Sequence, residues 1–144
     1  MNEIGIDTME LKNMSQAMIV SSEKISDYYK QINPREIADF ISKIDGMVEL
    51  INILKDLIRK YFPNATTYLA FEEDLEEGDD CIYAYILNEE LSYEENDKLC
   101  DLMFMEYLEL RKKYHKAWFS LHFKFDYDEE YYKKYLEDPE SYNH

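Results

Sequence analysis

Four unbroken heptads constrain this chain more than any other feature. Ile37, Ile44, Ile51 and Ile58 recur every seven residues, with Phe40, Met47, Leu54 and Tyr61 at the companion positions. That spacing lays one apolar stripe along a helix. Val48, Leu50, Ile53 and Leu57 widen the stripe, so the helix needs cover on more than one side. The segment opens with Asn33-Pro34-Arg35-Glu36. Asn33 suits a cap, Pro34 the first helical position, and Glu36 the reciprocal capping contact. It closes at Phe62-Pro63, because the residue before proline is pushed out of the helical region. Gly46 lies inside the run, where it permits close approach, bends the helix or splits it.

Residues 8–32 carry a second stripe. Leu11, Met18, Ile25 and Ile32 fall seven apart, Met14 and Tyr28 stand between them, and Ser21 is the one lapse. Asp7 with Glu10 has the form of a capping box. The two segments predict a long αα-hairpin turning near Ile32–Pro34, with Ser21 and Ser22 across from Ile44–Gly46.

Beyond Pro63 the periodicity changes. Thr66–Glu72 and Cys81–Leu87 are rich in β-branched and aromatic residues and read as paired strands, joined by an acidic connection in which Gly78 supplies the turn. Ser92-Tyr93-Glu94-Glu95 is a capping box that opens a helix to about Tyr114. Ala117–Phe125 alternates as a third strand, and residues 128–137 form a short helix ended by Pro139. The third strand should run parallel to the second through a right-handed crossover. One sheet face would hold Leu69, Phe71, Ile82, Ala84, Ile86, Phe119, Leu121, Phe123 and Phe125, under the 93–114 helix. The other would hold Tyr68, Ala70, Tyr83, Tyr85, Trp118, Ser120 and His122, covered by the N-terminal helices or by a partner. The expected fold class is therefore α+β. Residues 1–62 form a helical hairpin suited to oligomerisation, and residues 63–144 form an acidic ββαβα unit on a three-stranded sheet.

Charge supports that division. The net charge is −16 over 144 residues. Residues 1–65 hold ten acids and eight bases, whereas residues 66–144 hold 22 acids and eight bases. Such a surface disfavours nucleic acid, whose binding relies on Lys and Arg to displace counterions. Hydrophobic residues at 46% and aromatics at 15% exclude a disordered acidic tail. No apolar run reaches the roughly 18 residues of a membrane span, and the N-terminus lacks the pattern of a signal peptide, so the expected setting is cytoplasmic.

Chemical motifs are few. The stretch 72–80 has seven acids in nine residues but not the ligand spacing of an EF-hand, and reads as a charged hairpin connection. Cys81, Cys100, His115 and His122 match no zinc spacing, so no metal or cofactor is expected. Nucleophile elbows, phosphate loops and HExxH sequences are absent, and adjacent acids such as Glu94/Glu95 and Glu129/Glu130 point apart on a helix.

The order Phe62-Pro63-x-Ala65, strand, acids through Asp80, strand, Ser92-x-Glu94-Glu95 helix and strand resembles a group of small uncharacterised prokaryotic proteins across residues 62–125. Leu75 departs from that pattern, which places proline after the loop aspartate. The resemblance implies the ββαβ arrangement and no activity.

The expected function is that of a non-enzymatic interaction protein that binds or inhibits a basic protein, as antitoxins do. Tyr68, Tyr83, Tyr85, Trp118 and His122 are the partner-binding candidates, because Tyr and Trp combine large contact area with a polar tip. Ile37, Ile44, Met47, Ile51, Leu54 and Ile58 are the candidate interface of a homodimer. The alternatives are a small ligand-binding domain or enzyme that uses the aromatic sheet face, and a structural oligomerisation module.

Overall fold

A computed structural model describes residues 25–73 and 78–142. Strand β1 (Lys30–Gln31) precedes helices α1 (Pro34–Ser42) and α2 (Met47–Tyr61). Strands β2 (Thr66–Glu72) and β3 (Cys81–Leu87) follow, then helix α3 (Tyr93–Leu108) and a 3₁₀ turn at Glu109–Arg111. Helix α4 (His115–Phe119), strand β4 (Leu121–Asp126), helix α5 (Glu129–Glu137) and a 3₁₀ turn at Pro139–Ser141 complete the order.

The sheet is mixed and four-stranded, in the order β1-β2-β3-β4. β2 and β3 pair antiparallel from Thr66↔Leu87 to Glu72↔Cys81. β4 runs parallel to β3, with Tyr83 opposite His122. Both relations follow from the expected pairing; the fourth strand does not. Lys30 and Gln31 add to β2 in parallel, opposite Tyr68 and Leu69. The Ile32 amide donates to the Leu69 carbonyl at 2.9 Å.

That pairing overturns the long N-terminal hairpin and the three-stranded sheet. Residues 8–24 of the first expected helix lie outside the described residues. Residues 25–28 are helical, but the chain is extended by Lys30, before the expected turn. The buried Tyr29 hydroxyl donates to the Ile51 carbonyl at 2.8 Å, and Ile32 enters the opposite side of the sheet. Local helical periodicity here yields to tertiary pairing.

Asn33 does not cap α1 through its side chain. Its carboxamide instead receives the Phe71 amide at 2.8 Å and donates to the Phe71 carbonyl at 2.9 Å. This fully buried Asn completes the β2 backbone where β1 has ended.

The second expected helix is two helices. Gly46 sits at φ 80°, where a Cβ would lie 2.9 Å from the Tyr114 ring. The left-handed residue breaks the helix in a turn, and α2 restarts with Met47, Leu50, Ile51, Leu54 and Ile58 fully buried. Ile37, Ile44, Met47, Ile51, Leu54 and Ile58 thus face the chain's own interior, between 0% and 8% exposed. One apolar core extends across the Phe62–Pro63 boundary, from Ile25 and Ile37 to Met103 and Leu121.

The C-terminal elements need two further corrections. Trp118 and Phe119 belong to α4, not to the third expected strand, because Ala117 buries completely and the Trp118 indole N–H donates to the Tyr107 carbonyl at 2.8 Å. The 93–114 helix ends at Leu108 and tightens into the 3₁₀ turn. The Ser92–Glu95 capping box forms as expected. Behind it, buried Asn96 donates to the Asn88 carbonyl at 3.0 Å and accepts from the Asn88 side chain at 2.9 Å, which fixes the β3–α3 turn. Among the described residues no helix is long and apolar enough to cross a membrane.

The two positive-φ glycines make a direct comparison. Gly46→Ala should destabilise by the roughly 1–2 kcal/mol of left-handed backbone strain plus displacement of Tyr114. Gly78→Ala, at φ 72° with open space around it, should carry the backbone part alone. Urea unfolding of both variants checks this, and equal losses would remove the packing role of Gly46.

Candidate functional site

Alternation along β2 and β3 sends Tyr68, Ala70, Tyr83, Tyr85 and Leu87 to the second sheet face. There the cover is α5 and the turn after it, not the N-terminal helices and not a partner. Tyr132 is 2% exposed, and its ring centre lies 4.8 Å from Tyr85 and 5.6 Å from Tyr68. Tyr135 and Tyr142 extend the same cluster.

Three phenols of this layer each find a carboxylate. Tyr68 donates to Glu129 at 2.8 Å, Tyr142 donates to Glu72 at 2.9 Å, and Tyr132 donates to Asp126. Buried phenols need such partners, and anionic acceptors make the bonds stronger than neutral ones. Desolvation first, and the nearby carboxylates second, push the Tyr68, Tyr132 and Tyr142 hydroxyls well above the ordinary phenol value. Burial also raises the Glu72 carboxyl.

The five candidate residues therefore divide. Tyr68 and Tyr85 are sealed, at 0% and 5% exposure. Trp118 lies with the first face, stacked on Tyr107 at 5.3 Å. Only Tyr83 and His122 stay together at the surface, with ring centres 5.2 Å apart. Desolvation against the sheet lowers the His122 imidazole from its usual value, although part of the ring reaches solvent.

Tyr83 and His122 line an open groove of about 990 Å³, at the end of the sheet where β2 finishes and β3 and β4 begin. Three elements border it. The β2–β3 connection supplies Glu72, Glu73, Asp79 and Asp80, the end of α1 supplies Phe40 and Lys43, and α4 supplies Lys116 and Phe119. Phe119 is 54% exposed. Alternation pointed to Tyr83 and His122, and the acidic connection was visible as a charge run. Phe40, Lys43, Lys116 and Phe119 carried no signal, because the Gly46 break and the short α4 bring them to the groove.

The aromatic surface already holds cations. The Lys124 ammonium lies 5.2 Å from the Tyr85 ring centre and 6.0 Å from that of Tyr83, within cation–π range. Among the described residues no three His, Cys, Asp or Glu side chains are grouped to hold a metal ion. No family model, curated protein or solved structure matches the chain.

The phenol–carboxylate layer has a measurable signature. A folded state that holds phenolic protons above 10.0 binds more protons than the unfolded chain at that pH. Stability should therefore fall as pH rises through and beyond that value. Tyrosinate absorbance should show the buried phenols of the layer ionising only together with unfolding. Smooth ionisation of all 14 tyrosines in the folded state would contradict the layer.

Proposed function

We propose that this chain is a non-enzymatic, cytoplasmic interaction protein that binds a basic protein partner and masks it by contact. The observation that carries the reading is the groove, where four carboxylates border an exposed aromatic surface. A partner's Lys or Arg can lie against Tyr83 or Phe119 while its charge meets Asp79 and Asp80. Rings of this surface already accept an ammonium from Lys124. The acid excess of residues 66–144 supplies a long-range field that speeds and selects such an encounter.

The reading is tested by affinity capture on the immobilised chain from cells of its source, with elution by salt. A basic protein should be recovered, and Asp79→Lys with Asp80→Lys should weaken its retention at least about tenfold, as expected when complementary charges become like charges. Glu89→Lys with Glu90→Lys, at the opposite end of β3, should leave retention nearly unchanged. Recovery of neutral or acidic proteins only, or equal losses in the two double variants, would overturn the proposal.

A further inference from the structure

A second surface bears on the same reading and rests on it. β4 is an edge strand, and α3 runs beside it. Tyr93, Phe104, Trp118, Phe119, Phe123 and Phe125 form an aromatic strip of two ring clusters along this edge. Tyr93 meets Phe125 at 5.2 Å, Phe104 meets Phe123 at 6.4 Å and Trp118 at 6.2 Å, and Trp118 meets Phe119 at 5.1 Å. Tyr93 is 65% exposed and Phe104 38%. On α3 the order Tyr93, Asp97, Asp101, Phe104, Leu108 advances by threes and fours, so rings and carboxylates share one side of the helix. Arg111 closes one end of the strip, 6.0 Å from the Trp118 ring.

Two features select the occupant. An edge strand ordinarily invites another strand, but this edge is already engaged at its Leu121 carbonyl. The Ile82 amide donates to the Ser120 carbonyl at 2.8 Å, so in the parallel ladder Leu121, Phe123 and Phe125 turn their backbone groups outward. The Tyr107 hydroxyl donates to the Leu121 carbonyl at 2.7 Å. Strand addition would have to displace that bond, so the occupant docks through side chains. A second copy is disfavoured by charge, since each chain carries −16 and would oppose Asp97 and Asp101 with more acid.

We infer that the α3–β4 aromatic strip is a docking surface for a basic amphipathic helix of the partner. The helix lays its apolar face on Phe104, Phe123 and Phe125, and its lysines or arginines against Asp97 and Asp101. This is recognition of an amphipathic helix through its apolar anchors, on an aromatic surface flanked by acids.

Trp118 is the chain's one tryptophan and lies within the strip, so its fluorescence reports directly. The probe is a synthetic Leu/Lys amphipathic helix of about 18 residues, or five turns. The control has the same composition, scrambled to remove the apolar face. Calorimetry and Trp118 emission are recorded together on the intact chain at low and high salt. The amphipathic peptide should shift Trp118 emission and bind at least about tenfold more tightly than the scrambled one, as loss of buried aromatic anchors implies. Tyr93→Ser with Phe104→Ser, both exposed positions, should remove that difference. Asp97→Lys with Asp101→Lys should weaken binding and flatten its salt dependence. Leu102→Ser, at an exposed position turned roughly 160° away from Phe104 around α3, should change nothing. Binding that leaves Trp118 silent, or that survives Tyr93→Ser with Phe104→Ser, overturns this surface and leaves the basic-partner reading standing. Absence of binding by either peptide at low salt overturns both.

Discussion

Strands β2 and β3 bury side chains from both of their faces, and five consecutive residues, Thr67 to Phe71, are buried in β2. A sheet with one wet face would leave Tyr68, Tyr85 and Leu87 in water, so this one needs a layer on each side. The helices before β2, together with α3 and α4, supply one layer around Leu69, Ile82 and Ala84. α5 supplies the other with Tyr132 and Tyr135. The first layer is aliphatic and close-packed. The second is phenolic, because a short helix with acidic flanks covers a tyrosine-rich face by pairing hydroxyls with carboxylates. The remaining surface, the groove and the β4 edge strip, lies where neither layer reaches.

Much of this order was legible in the chain. The heptad stripe of α2 is strong because its apolar spacing repeats without a lapse, and the Ser92–Glu95 box marks a helix start by local bonding alone. Alternation assigned both faces of β2 and β3 correctly, since each face packs against a different layer. The failures share a cause. β1 is two residues long and is defined by its partner, so no local pattern announces it. Gly46 read equally as a close-packing residue or a break until the Tyr114 ring occupied the space where its Cβ would sit. Trp118 and Phe119 continue the alternation of β4 in sequence, yet the indole bond to Tyr107 holds them in a helical turn.

The candidate site was legible in part for the same reason. Tyr83 and His122 were found because strand alternation places side chains without knowledge of neighbours. The cover over Tyr68 and Tyr85 was missed because Tyr131, Tyr132 and Tyr135 read as an ordinary amphipathic pattern, with nothing local to say which sheet face they seek. The heptad isoleucines suggested association between chains. The break at Gly46 lets them fold into one interior instead, and what the sequence offered as an external seam becomes the first layer's packing.

The position of α5 in the chain order has a consequence for biogenesis. Synthesis runs from the N-terminus, so all four strands and the first layer emerge before α5 does. During that interval Tyr68, Tyr83, Tyr85 and Leu87 have no cover, and the nascent sheet presents an adhesive aromatic face. The carboxylates of Glu72 and Asp126 stand on or beside that face. Before α5 docks they are free anions that keep neighbouring nascent chains apart; afterwards they accept from Tyr142 and Tyr132 and hold the C-terminal segment down. The same two groups thus act first as solubilising charge and then as anchors.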